Sequence, residues 1–82
     1  MNDELWDKCQ MMIDAGFIEM VVHLLVKEVQ ESLTADQLKP LGDLNSFFLK
    51  AFSKKQEMPA KKFVYGFIDL ARKGVILGQK QK

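Results

Sequence analysis

Between Phe17 and Ser32 the chain carries a run that suits a helix in only one kind of place. Phe17, Ile18, Met20, Val21, Val22, Leu24, Leu25, Val26 and Val29 put apolar groups on most sides of such a helix. Only a narrow polar stripe remains, through Glu19, His23, Lys27 and Gln30 or Glu31, spaced so that opposite charges one turn apart support each other. A helix apolar on so many sides must be covered on several of them. It is therefore the central element of a small bundle, or it faces a core on one side and a partner on another. The β-branched Val21, Val22, Val26 and Val29 leave a strand as the weaker alternative, since no two-residue alternation supports one. Nowhere do 18 apolar residues run uninterrupted, which excludes a spanning helix.

The remaining segments read as helices that could cover this one. Asn2 is placed to cap a helix over about 3–15, with Asp3 and Glu4 in the first turn, where the helix dipole favours anions. Leu5, Cys9, Met12 and Ile13 form its apolar stripe, with Trp6 beside it. Gly16 suits a left-handed stop, with Phe17 set to touch Met12. The central helix then occupies about 17–32. Thr34 and Gln37 make a capping box, and Leu33 with Leu38 a hydrophobic staple, so a third helix starts at Thr34. It covers about 35–41 and is short, because Pro40 disfavours a helical Lys39 and Gly42 follows. Asp43 caps a fourth helix over 44–53, with Leu44, Phe47, Phe48, Ala51 and Phe52 inward. Residues 54–58 read as a polar loop.

Pro59 suits the first position of a fifth helix over 59–73. Phe63, Val64, Phe67, Ile68 and Leu70 are expected to face inward, and Gly66 to permit a close helix approach. Gly74 closes it, with Val75 reaching back to Leu70. Val75, Ile76 and Leu77 form a short apolar stretch, a turn packed on the core or a handle for a partner. Residues 79–82 read as a frayed tail. The expectation is an all-α fold: one domain over 1–82, a compact bundle of four to five short helices.

Size and composition bound the class. At 82 residues the core is small, and one cysteine, Cys9, excludes an internal disulfide. A lone thiol, and an N-terminus without the basic and apolar regions of an export signal, lead to an expected cytoplasmic location. An apolar fraction of 48% is too high for a disordered chain.

The charge is divided between the halves, although it sums to only +1. Residues 1–33 hold seven acids against two bases, a balance of −5, and residues 34–82 hold four acids against ten bases, a balance of +6. The sign changes at Leu33–Thr34, where the capping box places a helix start. Asymmetry of this kind speaks to partners rather than to fold. An acidic face of Asp3, Glu4, Asp7, Glu28 and Glu31 and a basic face of Lys50, Lys54, Lys55, Lys61, Lys62, Arg72 and Lys73 suit a protein-interaction module. Such a module is an adaptor, inhibitor or assembly factor, and it meets a protein partner or copies of itself.

The alternative is a nucleic-acid-binding regulator with a helix-turn-helix rhythm over 34–53. In it Asn45, Ser46 and Lys50 face the bases, with Lys54, Lys55, Lys61 and Lys62 on phosphates. Pro40, the acid at Asp43, and a pI of 7.8 against the ~9 of typical nucleic-acid binders weigh against it.

No residue constellation calls for catalysis, a metal, a cofactor or a small-molecule substrate. His23 has no second histidine or cysteine pair at ligand spacing, and Glu19 one turn away makes an ordinary surface pair. Cys9 lies on the inner stripe of its helix and reads as a buried, inert thiol. Met11, Met12 and Met20 read as core filler, with an adaptable binding surface as the alternative. The basic stretch 54–62 holds too few apolar residues to insert into a membrane.

Overall fold

The computed structural model describes residues 1–54 and 57–74. Among the described residues five helices follow one another: α1 (Asp3–Asp14), α2 (Ile18–Ser32), α3 (Ala35–Leu38), α4 (Leu44–Ser53) and α5 (Ala60–Arg72). A 3-10 turn at Lys39–Leu41 continues α3, and no strand occurs among the described residues.

Local chemistry sets each boundary. Asn2 Oδ1 accepts the Leu5 N–H at 2.8 Å and caps α1. At the other end Gly16 takes φ +93°. The Gly16 N–H then donates to the Ile13 carbonyl at 3.0 Å and the Phe17 N–H to the Met12 carbonyl at 2.8 Å. These are the paired bonds of a Schellman stop, which satisfy carbonyls that the helix end leaves open. Thr34 and Gln37 complete their capping box, Thr34 N–H to Gln37 Oε1 at 2.9 Å and Gln37 N–H to Thr34 Oγ1 at 3.1 Å. Leu33 is buried and Leu38 packs half-buried on the core.

Several boundaries differ from expectation by a residue. Lys39 is helical (φ −54°, ψ −47°) despite Pro40. The missing proline N–H instead tightens the chain from α3 into the 3-10 turn. Pro59 is the cap of α5 rather than its first residue, because its ψ of 149° is extended. Ala15, Phe17 and Lys73 are likewise caps, one residue outside their helices.

α2 is the central element. It packs on α1, α4 and α5, most extensively on α4. Val21, Val22, Leu25, Val26 and Val29 are buried along it. Phe48 of α4, fully buried, anchors the rest, with ring centroids 5.2 Å from Phe67, 6.0 Å from Phe63 and 6.1 Å from Phe52. Phe52 and Phe63 meet edge-on at 4.9 Å. Edge-on pairs suit the ring quadrupole and add to the gain from burial. Trp6, beside the apolar stripe of α1, is buried with its ring 5.5 Å from Tyr65 of α5, and its indole N–H has no acceptor among the described residues.

Several inward assignments are corrected. On α5 the buried positions are Ala60, Val64, Phe67, Ile68 and Ala71. Phe63 is half-buried, while Leu70 points away and is 43% exposed. Phe47 is 39% exposed, with its ring on Phe67 at 5.2 Å. Met11 and Met20 fill no core; both lie on the surface. Gly66 permits no close approach among the described residues, since a Cβ added there would meet none of them within 4 Å. Gly74 takes φ +74° and donates to the Ala71 carbonyl at 3.1 Å. The expected contact of Val75 with Leu70, the apolar run 75–77 and the tail 79–82 lie outside the described residues.

Candidate functional site

The packing of α5 against the first helical hairpin brings acid and base together. Lys61 Nζ donates to Asp3 Oδ1 at 2.8 Å and joins α5 to α1. The hydrogen bond and charge of Lys61 hold the Asp3 carboxyl below the usual aspartate range, and Asp3 in turn raises the Lys61 ammonium. Both side chains are largely open to solvent, so water screens this pair. Glu28 is engaged twice, at 3.2 Å by the Met1 amino group and at 3.0 Å by the Tyr65 hydroxyl. Arg72 donates to the Ser32 carbonyl at 3.0 Å, at the C-terminus of α2. Lys73 pairs with Asp69 one turn back at 3.1 Å. Gln10 Oε1 accepts the Ala60 N–H at 2.7 Å and fixes the start of α5 on α1.

Of the residues assigned to an acidic face, Asp3 and Glu28 therefore serve internal contacts, while Glu4, Asp7 and Glu31 are exposed. Of the basic set, Lys61, Arg72 and Lys73 have internal partners and Lys50, Lys54 and Lys62 are exposed. Lys55 lies outside the described residues. In the segment 34–53, Asn45 is exposed, while Ser46 Oγ donates to Asp43 Oδ2 at 2.8 Å. That bond and the Ser46 N–H, 3.3 Å from Asp43 Oδ1, hold the Asp43 carboxyl low at the start of α4. His23 is exposed. Cys9 is buried, and burial pushes its thiol up, away from the reactive thiolate. Among the described residues no group of three or more His, Cys, Asp or Glu side chains could hold a metal ion. Nor is any described helix long and apolar enough to cross a membrane.

What the sequence did not single out is a groove at the start of α2. Gly16, Phe17, Ile18, Glu19 and Met20 form one wall, and Leu49 and Ser53 of α4 the other, around about 480 Å³. The Schellman stop at Gly16 turns the chain so that Phe17 stands on the lip, 55% exposed, and Met20 beside it is 62% exposed. Met20 lies opposite the buried stripe of α2 by helical phase. Leu49, half-buried, lines the same groove and packs against the core. A second depression of about 530 Å³ adjoins this groove through Gly16, Ile18 and Ser53, bordered by Asp14, Lys54 and Met58. The available signal was the apolar excess of α2. Its meaning depends on where α4 lies, which no local pattern shows.

No family model matches the chain, and neither a curated protein nor a solved structure matches it.

Proposed function

We propose that this protein is a non-enzymatic interaction module of the cytoplasm, which seats an apolar segment of a protein partner in the groove between α2 and α4. The observation that carries the reading is the exposure of two large apolar side chains, Phe17 and Met20, at a groove that Ile18 and Leu49 also line. Scattered apolar residues are ordinary on a surface, but an apolar cleft with a polar rim marks an interaction site. Met20 adds an unbranched, adaptable side chain suited to partners of irregular shape. Glu19 and Asp14 beside the groove favour a segment flanked by basic residues. The exposed Lys50, Lys54 and Lys62 serve acidic ground on the same partner.

Affinity capture from native cytosol tests this, with wild type and Met20→Glu run in parallel at low and high salt, and with nucleic acid digested in a further sample. Met20 lies outside the core, so the variant folds as wild type does, which a thermal melt checks. Proteins retained by wild type and lost with Met20→Glu are the expected result. Identical sets from both, or material that vanishes with nuclease, count against the groove.

A further inference from the structure

The groove needs an occupant, and the chain itself carries a segment of fitting chemistry. Residues Val75, Ile76 and Leu77 are three consecutive apolar side chains, followed after Gly78 and Gln79 by Lys80 and Lys82. The groove offers the complement: Phe17, Ile18, Met20 and Leu49 for the apolar part, with Glu19 on its wall and Asp14 on the adjoining rim for the lysines. Lys54, the one basic residue among the described residues that border the adjoining depression, caps the C-terminal end of α4.

Geometry decides which copy supplies the segment. Arg72 bonds the Ser32 carbonyl, so α5 ends beside the C-terminus of α2, whereas the groove lies at the N-terminus of α2. The 15 residues of α2 span about 22 Å. Residues 75–77 cover about 11 Å at full extension. Three residues at full extension reach only about half that distance, so chain length favours the groove of another copy.

We propose that residues 75–77 of one molecule dock into the Phe17–Met20–Leu49 groove of a second copy, head to tail. This rests on the reading of the groove as a seat for apolar segments and names its occupant. The contact is heterologous, with a donor segment on one copy and an acceptor groove on the next. It is also small, which places it among weak, transient associations.

Sedimentation of the full chain from about 20 µM to about 1 mM covers that range of affinity. The expected result is a mean mass that rises with concentration and rises less in high salt, as charge steering is screened. Met20→Glu removes the acceptor and Ile76→Asp the donor, and each weakens association about tenfold or more, the scale of one buried aliphatic side chain. Unchanged melting curves show that both variants fold. The decisive arm mixes the two. Met20→Glu keeps its segment and Ile76→Asp keeps its groove, so together they form a mixed dimer that neither forms alone.

Self-association that survives Ile76→Asp, or a mixture that stays monomeric, overturns the proposal. A wild type that stays monomeric at every concentration also overturns it. If such a protein still loses captured partners on Met20→Glu, the groove stands as a binding site with a foreign occupant. If Met20→Glu changes neither association nor capture, the groove reading itself fails.

Discussion

Replacing Gly66 by alanine should make this protein more stable. Glycine in a helix interior is less favourable than alanine by about 0.8–1.0 kcal/mol, because it loses more backbone freedom on folding. That gain is realised only where alanine fits the native backbone and the added methyl meets no obstacle. Gly66 lies in the interior of α5, and an added Cβ there has nothing within 4 Å. It is not among the described glycines with positive φ, which are Gly16, Gly42 and Gly74. A methyl on this outer face loses nothing by burial or clash, so Gly66→Ala should stabilise by about 0.7–1 kcal/mol. For a domain of this size that raises the melting temperature by about 3–8 °C.

Gly16→Ala provides the control. Its added Cβ also meets nothing within 4 Å, yet φ is +93°. Alanine there should destabilise by about 1 kcal/mol, since a side chain strains the left-handed conformation. Space is equally open at both sites, so opposite signs isolate backbone conformation as the cause. Thermal and urea unfolding followed by circular dichroism measures both. A Gly66→Ala protein no more stable than wild type, or a Gly16→Ala protein as stable as wild type, refutes the reasoning.

Phe48→Ala should cost about 3–5 kcal/mol, because the ring is fully buried among Phe47, Phe52, Phe63 and Phe67. Against a total of roughly 4–12 kcal/mol for this length, urea unfolding should show a sharply lowered midpoint. An unchanged midpoint would deny Phe48 its central place. Cys9 should resist thiol reagents in the native protein and react stoichiometrically in denaturant, since it is 1% exposed and its thiol is pushed up. Rapid native labelling would contradict its burial. The Asp3–Lys61 pair gives a pH signature of small size. Because Asp3 is lowered in the fold, its contribution is present above the usual value of 3.8 and fades as the pH falls through the lower, folded value. Lys61 is raised above 10.5, so its contribution is present below that value and fades as the pH rises through the folded one. Wild type should therefore exceed Asp3→Asn slightly at neutral pH and converge with it in strong acid. A constant gap would refute the pairing.

The elements were legible where a few neighbouring residues decide the outcome. Asn2, Gly16, Thr34 with Gln37, and Asp43 each form the bonds their local chemistry implies, so helix limits fell within a residue or two of expectation. Gly66 and Leu70 depart from expectation for a reason of helical phase. The buried positions Ala60, Val64, Phe67, Ile68 and Ala71 fix the inner face of α5, and helical phase then turns both residues outward. The site was less legible, because it joins distant parts of the chain. Asp3 and Lys61 are 58 positions apart. The charge division reads as two faces in sequence, yet folding α5 onto α1 brings Asp3 and Lys61 together. Met20 suited either a core or a partner by type alone, and only the packing of α4 on α2 turned its surroundings into a groove.

Photocrosslinking from position 20 addresses the groove in the intact protein. A benzophenone amino acid replaces Met20 in one sample and Lys27 in another. Lys27 is exposed on the same helix but lies two turns beyond the groove. Irradiation in native cytosol should give discrete protein adducts from position 20 and none from position 27, with an adduct of twice the chain mass where a second copy is the occupant. Adducts from both positions alike, or from neither, would contradict a binding seat between α2 and α4.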